Sequence, residues 1–186
     1  AITNEVASLG YETTVTREPG GTKIGEEIRS ILLNPEHTHI NPLSELLLLN
    51  ASRAQHIEEK ILPALKQGKF VICDRFTDAS FAYQGAGRGI HFSIVQEVSN
   101  LVVKNLQPSL TLLLDASASL GLSRVAQRTE QLDRFEKENL EFFERVRKEY
   151  LRRAENEPER IFVIDASADR ETVSNKIASI IREKFG

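Results

Sequence analysis

The sequence predicts an α/β fold, a doubly wound parallel sheet with helices on both faces. Three observations carry that expectation. Short apolar or β-branched runs at Tyr11–Thr16, Phe70–Cys73, Ser109–Asp115 and Arg160–Asp165 alternate with longer stretches of helical spacing, and such alternation implies a parallel sheet covered on both sides. The run FVIC is apolar without a polar face, as a strand buried on both faces is, and SLTLLLD reads as a further buried strand ending in an acid. Right-handed crossovers then place the intervening helices in two layers. With 186 residues and no repeat, low-complexity tract or linker, the chain reads as a single domain.

Each element has its own local reason. Ala1–Leu9 carries Ile2, Val6 and Leu9 on one helical stripe, ends at Gly10, and starts without an obvious cap. YETTVT follows as a strand and runs into Arg17-Glu18-Pro19-Gly20-Gly21-Thr22, a turn whose proline and glycines expose backbone. Thr22 is placed to cap a helix over Lys23–Leu33, with Glu26 and Glu27 in its early turns. Asn34–Asn41 is a polar connection; its His37 and His39 have no cysteine or third histidine nearby to suggest zinc.

A long helix is expected over Leu43–Leu65, bent near Pro63. Its first half, ELLLLNASRAQH, is apolar enough that one face should meet the sheet and another a second subunit. Arg53 in that setting either finds a partner or snorkels at the helix edge, because an unpaired buried charge is costly. After the strand Phe70–Cys73 comes a polar and aromatic segment and a glycine-rich loop closed by Arg88. Helices are then expected at Phe92–Leu106, Leu120–Arg128, Phe135–Glu155 and Asp169–Phe185, with a break at Thr129–Asp133.

Composition excludes several classes. A net charge of −3 argues against a broad nucleic-acid-binding surface. No apolar run approaches a membrane span and no signal peptide is recognisable, so the expected location is the cytoplasm. The single cysteine, Cys73, lies inside an apolar run and reads as buried packing; no disulfide can form within the chain.

Polar groups collect at strand ends: Thr16-Arg17-Glu18, Asp74-Arg75, Asp115 and Asp165. Ligands of open parallel sheets bind at the carboxyl ends of strands, which makes the first two candidate sites. Arg124, Arg128 and Arg134 flank the break at Thr129–Asp133, and a guanidinium suits phosphate through its planar fork of donors.

TREPGGT (Thr16–Thr22), ASRAQH (Ala51–His56), CDRFTDASFAYQGAGRGI (Cys73–Ile90) and LDRFEKE (Leu132–Glu138) occur in the order and spacing of bacterial thymidylate kinases, which the chain resembles over essentially its whole length. The resemblance implies a P-loop nucleoside monophosphate kinase fold, a dTMP-binding region over residues 16–90 and a lid over residues 124–138. It implies transfer of the ATP γ-phosphoryl group to dTMP with Mg²⁺, for dTTP biosynthesis, by positioning and charge neutralisation. Arg75 would then bridge donor and acceptor phosphates, and Asp74 would act through the Mg²⁺ hydration shell. Glu18, Pro19 and Gly20 would wall the acceptor phosphate, with Arg17 supplying charge. Arg53, Ser80 and Gln84 would read the thymine, and Tyr83 would pack under the sugar and disfavour a 2′-hydroxyl. Arg128, Arg134 and Arg124 would belong to a lid closing on ATP. A homodimer is implied, and neither nucleic acid nor membrane.

Two departures from the family pattern stand out. The base-stacking position, four residues before Arg53, is commonly phenylalanine in the family and is Leu49 here, so apolar contact would replace aromatic stacking. No G-x-x-x-x-G-K-[ST] occurs, although a P-loop kinase needs that loop and lysine to cradle donor phosphates. The family places it just before the helix with which this chain begins, so the expectation is an upstream strand and loop of roughly twenty residues. Without them the chain should be a poor kinase. The alternatives are a noncatalytic nucleotide-binding homologue or scaffold, and a kinase of another nucleoside or nucleotide.

Overall fold

The computed structural model describes residues 2–127 and 131–186. In chain order these form α1 (Ile2–Ser8), β1 (Thr13–Arg17), α2 (Lys23–Leu33), α3 (Pro42–His56) and α4 (Leu62–Lys66), the last two joined by a π-helical segment, Ile57–Ile61. Then come β2 (Phe70–Asp74), α5 (Thr77–Ser80) with a π-helical continuation over Phe81–Gly87, α6 (Phe92–Val103), β3 (Thr111–Asp115), α7 (Ala118–Ala126), α8 (Leu140–Asn156), β4 (Ile161–Asp165) and α9 (Arg170–Phe185).

All four expected strands form, and all pair in parallel. β1 runs beside β2 with Thr13 opposite Phe70 and Arg17 opposite Asp74. β3 runs beside β4 with Thr111 opposite Ile161 and Asp115 opposite Asp165. Among the described residues the two pairs share no ladder, so the doubly wound layer is split where one continuous sheet was expected. They are tied together from outside. Val6 of α1 and Ile177, Ile180 and Ile181 of α9 build one core with Ile164, against which Phe70, Leu112 and Phe162 pack from three strands. Arg160, just before β4, also reaches Asp78, just after β2, through both terminal nitrogens, at 2.8 and 2.9 Å. The split leaves β2 and β3 half-covered, which corrects the expectation of strands buried on both faces. Cys73 is likewise half-buried, its thiol donating to the Arg75 carbonyl at 3.1 Å.

Three helical features differ from the sequence reading. α8 starts at Leu140 because the Asn139 side chain accepts the Phe142 N–H. Before it, Asp133 Oδ1 accepts the N–H groups of Phe135 and Glu136 and winds the chain into a turn. The long helix runs on through Pro63, and its irregularity is the π-helical segment Ile57–Ile61, which ends two residues before the proline whose missing N–H interrupts the ladder. The polar and aromatic segment after β2 is helical as well, partly with π geometry.

Candidate active site

The parallel register of β1 and β2 brings Arg17 level with Asp74, and a cavity of about 320 Å³ opens at those strand ends. Its β1 side is the Pro-Gly turn. The Glu18–Pro19 peptide is cis, and Gly20 and Gly21 have φ of 125° and 84°. A Cβ on Gly21 would stand 2.7 Å from both the His56 ring and Thr16 Oγ1, so this position needs glycine for space as well as conformation. Gly20, buried behind the cavity wall, donates its N–H to Ser52 Oγ at 3.1 Å.

Arg53 has the partner its setting demanded. Its Nε donates to Glu18 Oε2 at 2.7 Å, and Glu18 Oε1 lies 3.0 Å from His56 Nδ1. The other His56 nitrogen faces Thr16 Oγ1 at 2.7 Å. Arg53 Nη1 donates to Asn50 Oδ1 and Ser80 Oγ, and Nη2 to the Phe76 carbonyl and Ser80 Oγ. All five N–H groups of this buried guanidinium therefore have protein acceptors. Oxygen, nitrogen and sulfur of Glu18, His56 and Cys73 lie within 4.8 Å of one another, but Glu18 and His56 are committed to this hydrogen-bond network.

Positive charge collects at the turn. Arg17 pairs with Glu26 at 2.9 Å on the surface. Arg29, one helix face beyond Thr22, donates to the Pro19 carbonyl at 3.0 Å. Burial, and then the neighbouring charge of Arg17, push the Arg29 guanidinium below its usual range. Arg75 holds φ 65°, an uncommon conformation for a side-chain-bearing residue, and its guanidinium lies 4.7 Å from the centre of the Tyr83 ring. Neither Arg29 nor Arg75 has an ion-pair partner among the described residues. The Asp74 carboxylate accepts no hydrogen bond from them either.

The remaining wall is apolar and aromatic. Leu49, Phe76 and Phe143 line it. Tyr83 meets Phe135, Phe142 and Tyr150 edge-on at 5.8, 6.0 and 6.4 Å, and burial pushes the Tyr150 phenol above its ordinary range. Of the expected substrate residues, Arg17, Glu18, Pro19, Leu49, Arg53, Ser80, Tyr83 and Gln84 border this one cavity, as do Asp74 and Arg75 of the expected catalytic residues.

Residues 1–177 match the family model for thymidylate kinase. The chain belongs to the thymidylate kinase family. It is 47% identical over 180 residues to the thymidylate kinase of Pelobacter propionicus, covering 94% of this chain and 82% of that protein. It is 48% identical to that of Desulforapulum autotrophicum, covering 95% and 81%. The crystal structure of thymidylate kinase from Ehrlichia chaffeensis superposes with a TM-score of 0.69 at 30% identity, covering 97% of this chain and 88% of that one.

The arginines expected in a thymidylate kinase lid are dispersed. Arg134 is buried, donating to Glu45 Oε2 at 2.6 Å and to the Leu32 carbonyl at 2.7 Å. Arg124 is exposed and donates to the Ala166 carbonyl at 3.0 Å, just past β4. Arg128 lies outside the described residues. Sequence reasoning missed Arg29, whose signal was its place seven residues after the Thr22 cap, and Glu45. Fully buried, Glu45 also accepts from Gln84 Nε2 and Arg88 Nε, at 2.8 and 3.2 Å to Oε1.

Proposed function

We propose that this protein takes part in transfer of the γ-phosphoryl group of ATP to dTMP, giving dTDP and ADP and so feeding dTTP synthesis. The observation that carries the acceptor assignment is the charge imbalance of the cavity. Arg29 and Arg75, without ion-pair partners among the described residues, stand near Arg17 and the Pro-Gly turn, ready for a phosphate. Arg53, Ser80, Gln84 and Leu49 supply the polar and apolar groups that a base requires.

In this reading Arg17, Arg29 and the turn Glu18-Pro19-Gly20 hold the acceptor phosphate, and Arg75 neutralises charge that grows between the phosphates. Tyr83, gripped by its aromatic neighbours, forms a rigid floor for the sugar. Arg53 reads the base by exchanging one Ser80 contact for a base carbonyl. Asp74, a carboxylate without a hydrogen-bond donor among the described residues, suits Mg²⁺, which keeps several of its waters. The bound ion would supply charge neutralisation at the donor phosphates. Arg124, beside the turn after β4, is placed for the ATP side; Arg134 serves as an internal strut in this conformation. The exposed apolar residues Leu43 and Leu47 of α3 and Phe92, Ile94 and Leu101 of α6, two helices that pack together, support a homodimer through that face.

A second reading is a noncatalytic nucleotide-binding homologue or scaffold, which would bind dTMP without transferring phosphate. The test is dTMP-dependent ADP formation from Mg-ATP, for protein made from the complete reading frame and for this chain. Activity that requires dTMP supports the kinase. Inactivity of both with dTMP binding retained supports the noncatalytic reading, and failure to bind dTMP overturns the substrate assignment.

A further inference from the structure

We infer that Glu45 is a specificity-determining positioning residue: it fixes the Gln84 carboxamide so that the cavity offers a hydrogen-bond acceptor to the base. The inference rests on the assignment of the cavity to a pyrimidine nucleotide. It explains how the cavity tells an imide base, which carries a ring N–H, from cytosine, which carries a ring acceptor at the same place.

Glu45 is fully buried in the first turn of α3 and lies opposite two guanidinium groups. Arg134 Nη2 donates to its Oε2 at 2.6 Å, and Arg88 Nε reaches both oxygens at 3.2 and 3.3 Å. A carboxylate so paired accepts hydrogen bonds and donates none. Gln84 faces it at 2.8 Å, so the amide nitrogen must be the end turned toward Glu45. Reversing the amide would set two acceptors against each other in a buried site, an arrangement that costs free energy. Carboxamide orientation, often ambiguous in a glutamine, is thus decided here by its neighbour.

The carbonyl end is left over. No described group donates to Gln84 Oε1, yet it is not one of the buried side-chain atoms without a partner, which among the described residues are Arg88 Nη2 and Ser99 Oγ. Gln84 is 1% exposed and borders the cavity. The carbonyl therefore meets open space there. A ring N–H can donate to it, whereas a ring nitrogen lone pair meets it with repulsion. Nothing in the local sequence couples positions 45 and 84; the docking of α3 on the π-helical segment does.

The test is calorimetric binding of dTMP and dCMP to this chain, to E45Q and to Q84M. A neutral amide at position 45 can donate as well as accept, so the Gln84 amide becomes free to turn. Wild type is expected to prefer dTMP by about 100-fold or more, and E45Q by less than about tenfold, since a site built around one hydrogen bond discriminates strongly only while its partner is fixed. The readout is a ratio within one protein, so a reduced folded fraction cancels. Q84M leaves the pairing of Glu45 with both arginines intact and keeps the test open should E45Q not fold; its preference should also collapse. Undiminished selectivity in either folded variant overturns the inference while leaving the acceptor assignment standing. Failure of wild type to bind either nucleotide overturns both.

Discussion

Arg53 Nε stands 2.7 Å from Glu18 Oε2, with the two side chains only 2% and 4% exposed. One comes from the last turn of α3 and the other from the turn after β1, so the ion pair clamps that helix to the turn. Breaking a buried pair strands the remaining charge, at a cost of about 3 kcal/mol. Glu18→Gln is expected to lower unfolding free energy in urea by that amount and to weaken dTMP binding at least about tenfold. Unchanged affinity in the folded variant would show that the clamp does not position Arg53.

Leu49 borders the cavity from α3, at the position where an aromatic ring would stack on the base. Leu49→Phe should tighten dTMP binding by about 0.5–1.5 kcal/mol, roughly twofold to tenfold. Calorimetric titration checks it. Weaker binding would mean that the wall is already filled by Phe76 and Phe143.

Arg75 holds its φ of 65° while its guanidinium covers Tyr83. Glycine adopts that backbone freely, so Arg75→Gly is expected to be as stable as wild type, or more stable by about 1 kcal/mol. Its rate of dTMP phosphorylation, in protein from the complete reading frame, should fall by about 100-fold or more. A stable but inactive variant separates the chemistry of this residue from its packing; a drop in melting temperature would refute the strain.

Asp78 binds Arg160 and Arg153 between the two strand pairs, with Arg153 Nε 2.7 Å from Oδ1. Burial alone would raise its pKa, but the hydrogen bonds of Arg160 and the charge of Arg153 prevail and hold it below the usual carboxylate range. A carboxyl whose folded pKa lies below its unfolded value of about 3.9 contributes fully above that value and loses its contribution as pH falls through the folded pKa. Asp78→Asn should therefore cost about 3 kcal/mol at pH 7, and the gap from wild type should close below about pH 4. Urea midpoints at pH 7, 5 and 3 measure it; a gap that stays constant would assign the loss to something other than charge.

The chain itself determined the strand and helix order, the capping of α2 by Thr22, the polar strand ends and the need of Arg53 for a partner. These follow from signals within a turn or two of chain: apolar period, cap chemistry, and a charge among leucines. Family motifs extended that legibility to the cavity wall, because they name residues that must converge. Tertiary structure alone decided that Glu18 pairs with Arg53 from 35 residues away, that Glu45 gathers Gln84, Arg88 and Arg134, and that Arg134 turns inward. It also decided where the sheet divides. Partner choice for a buried charge depends on which surfaces dock, and docking has no fixed sequence spacing, whereas helix and strand periods do.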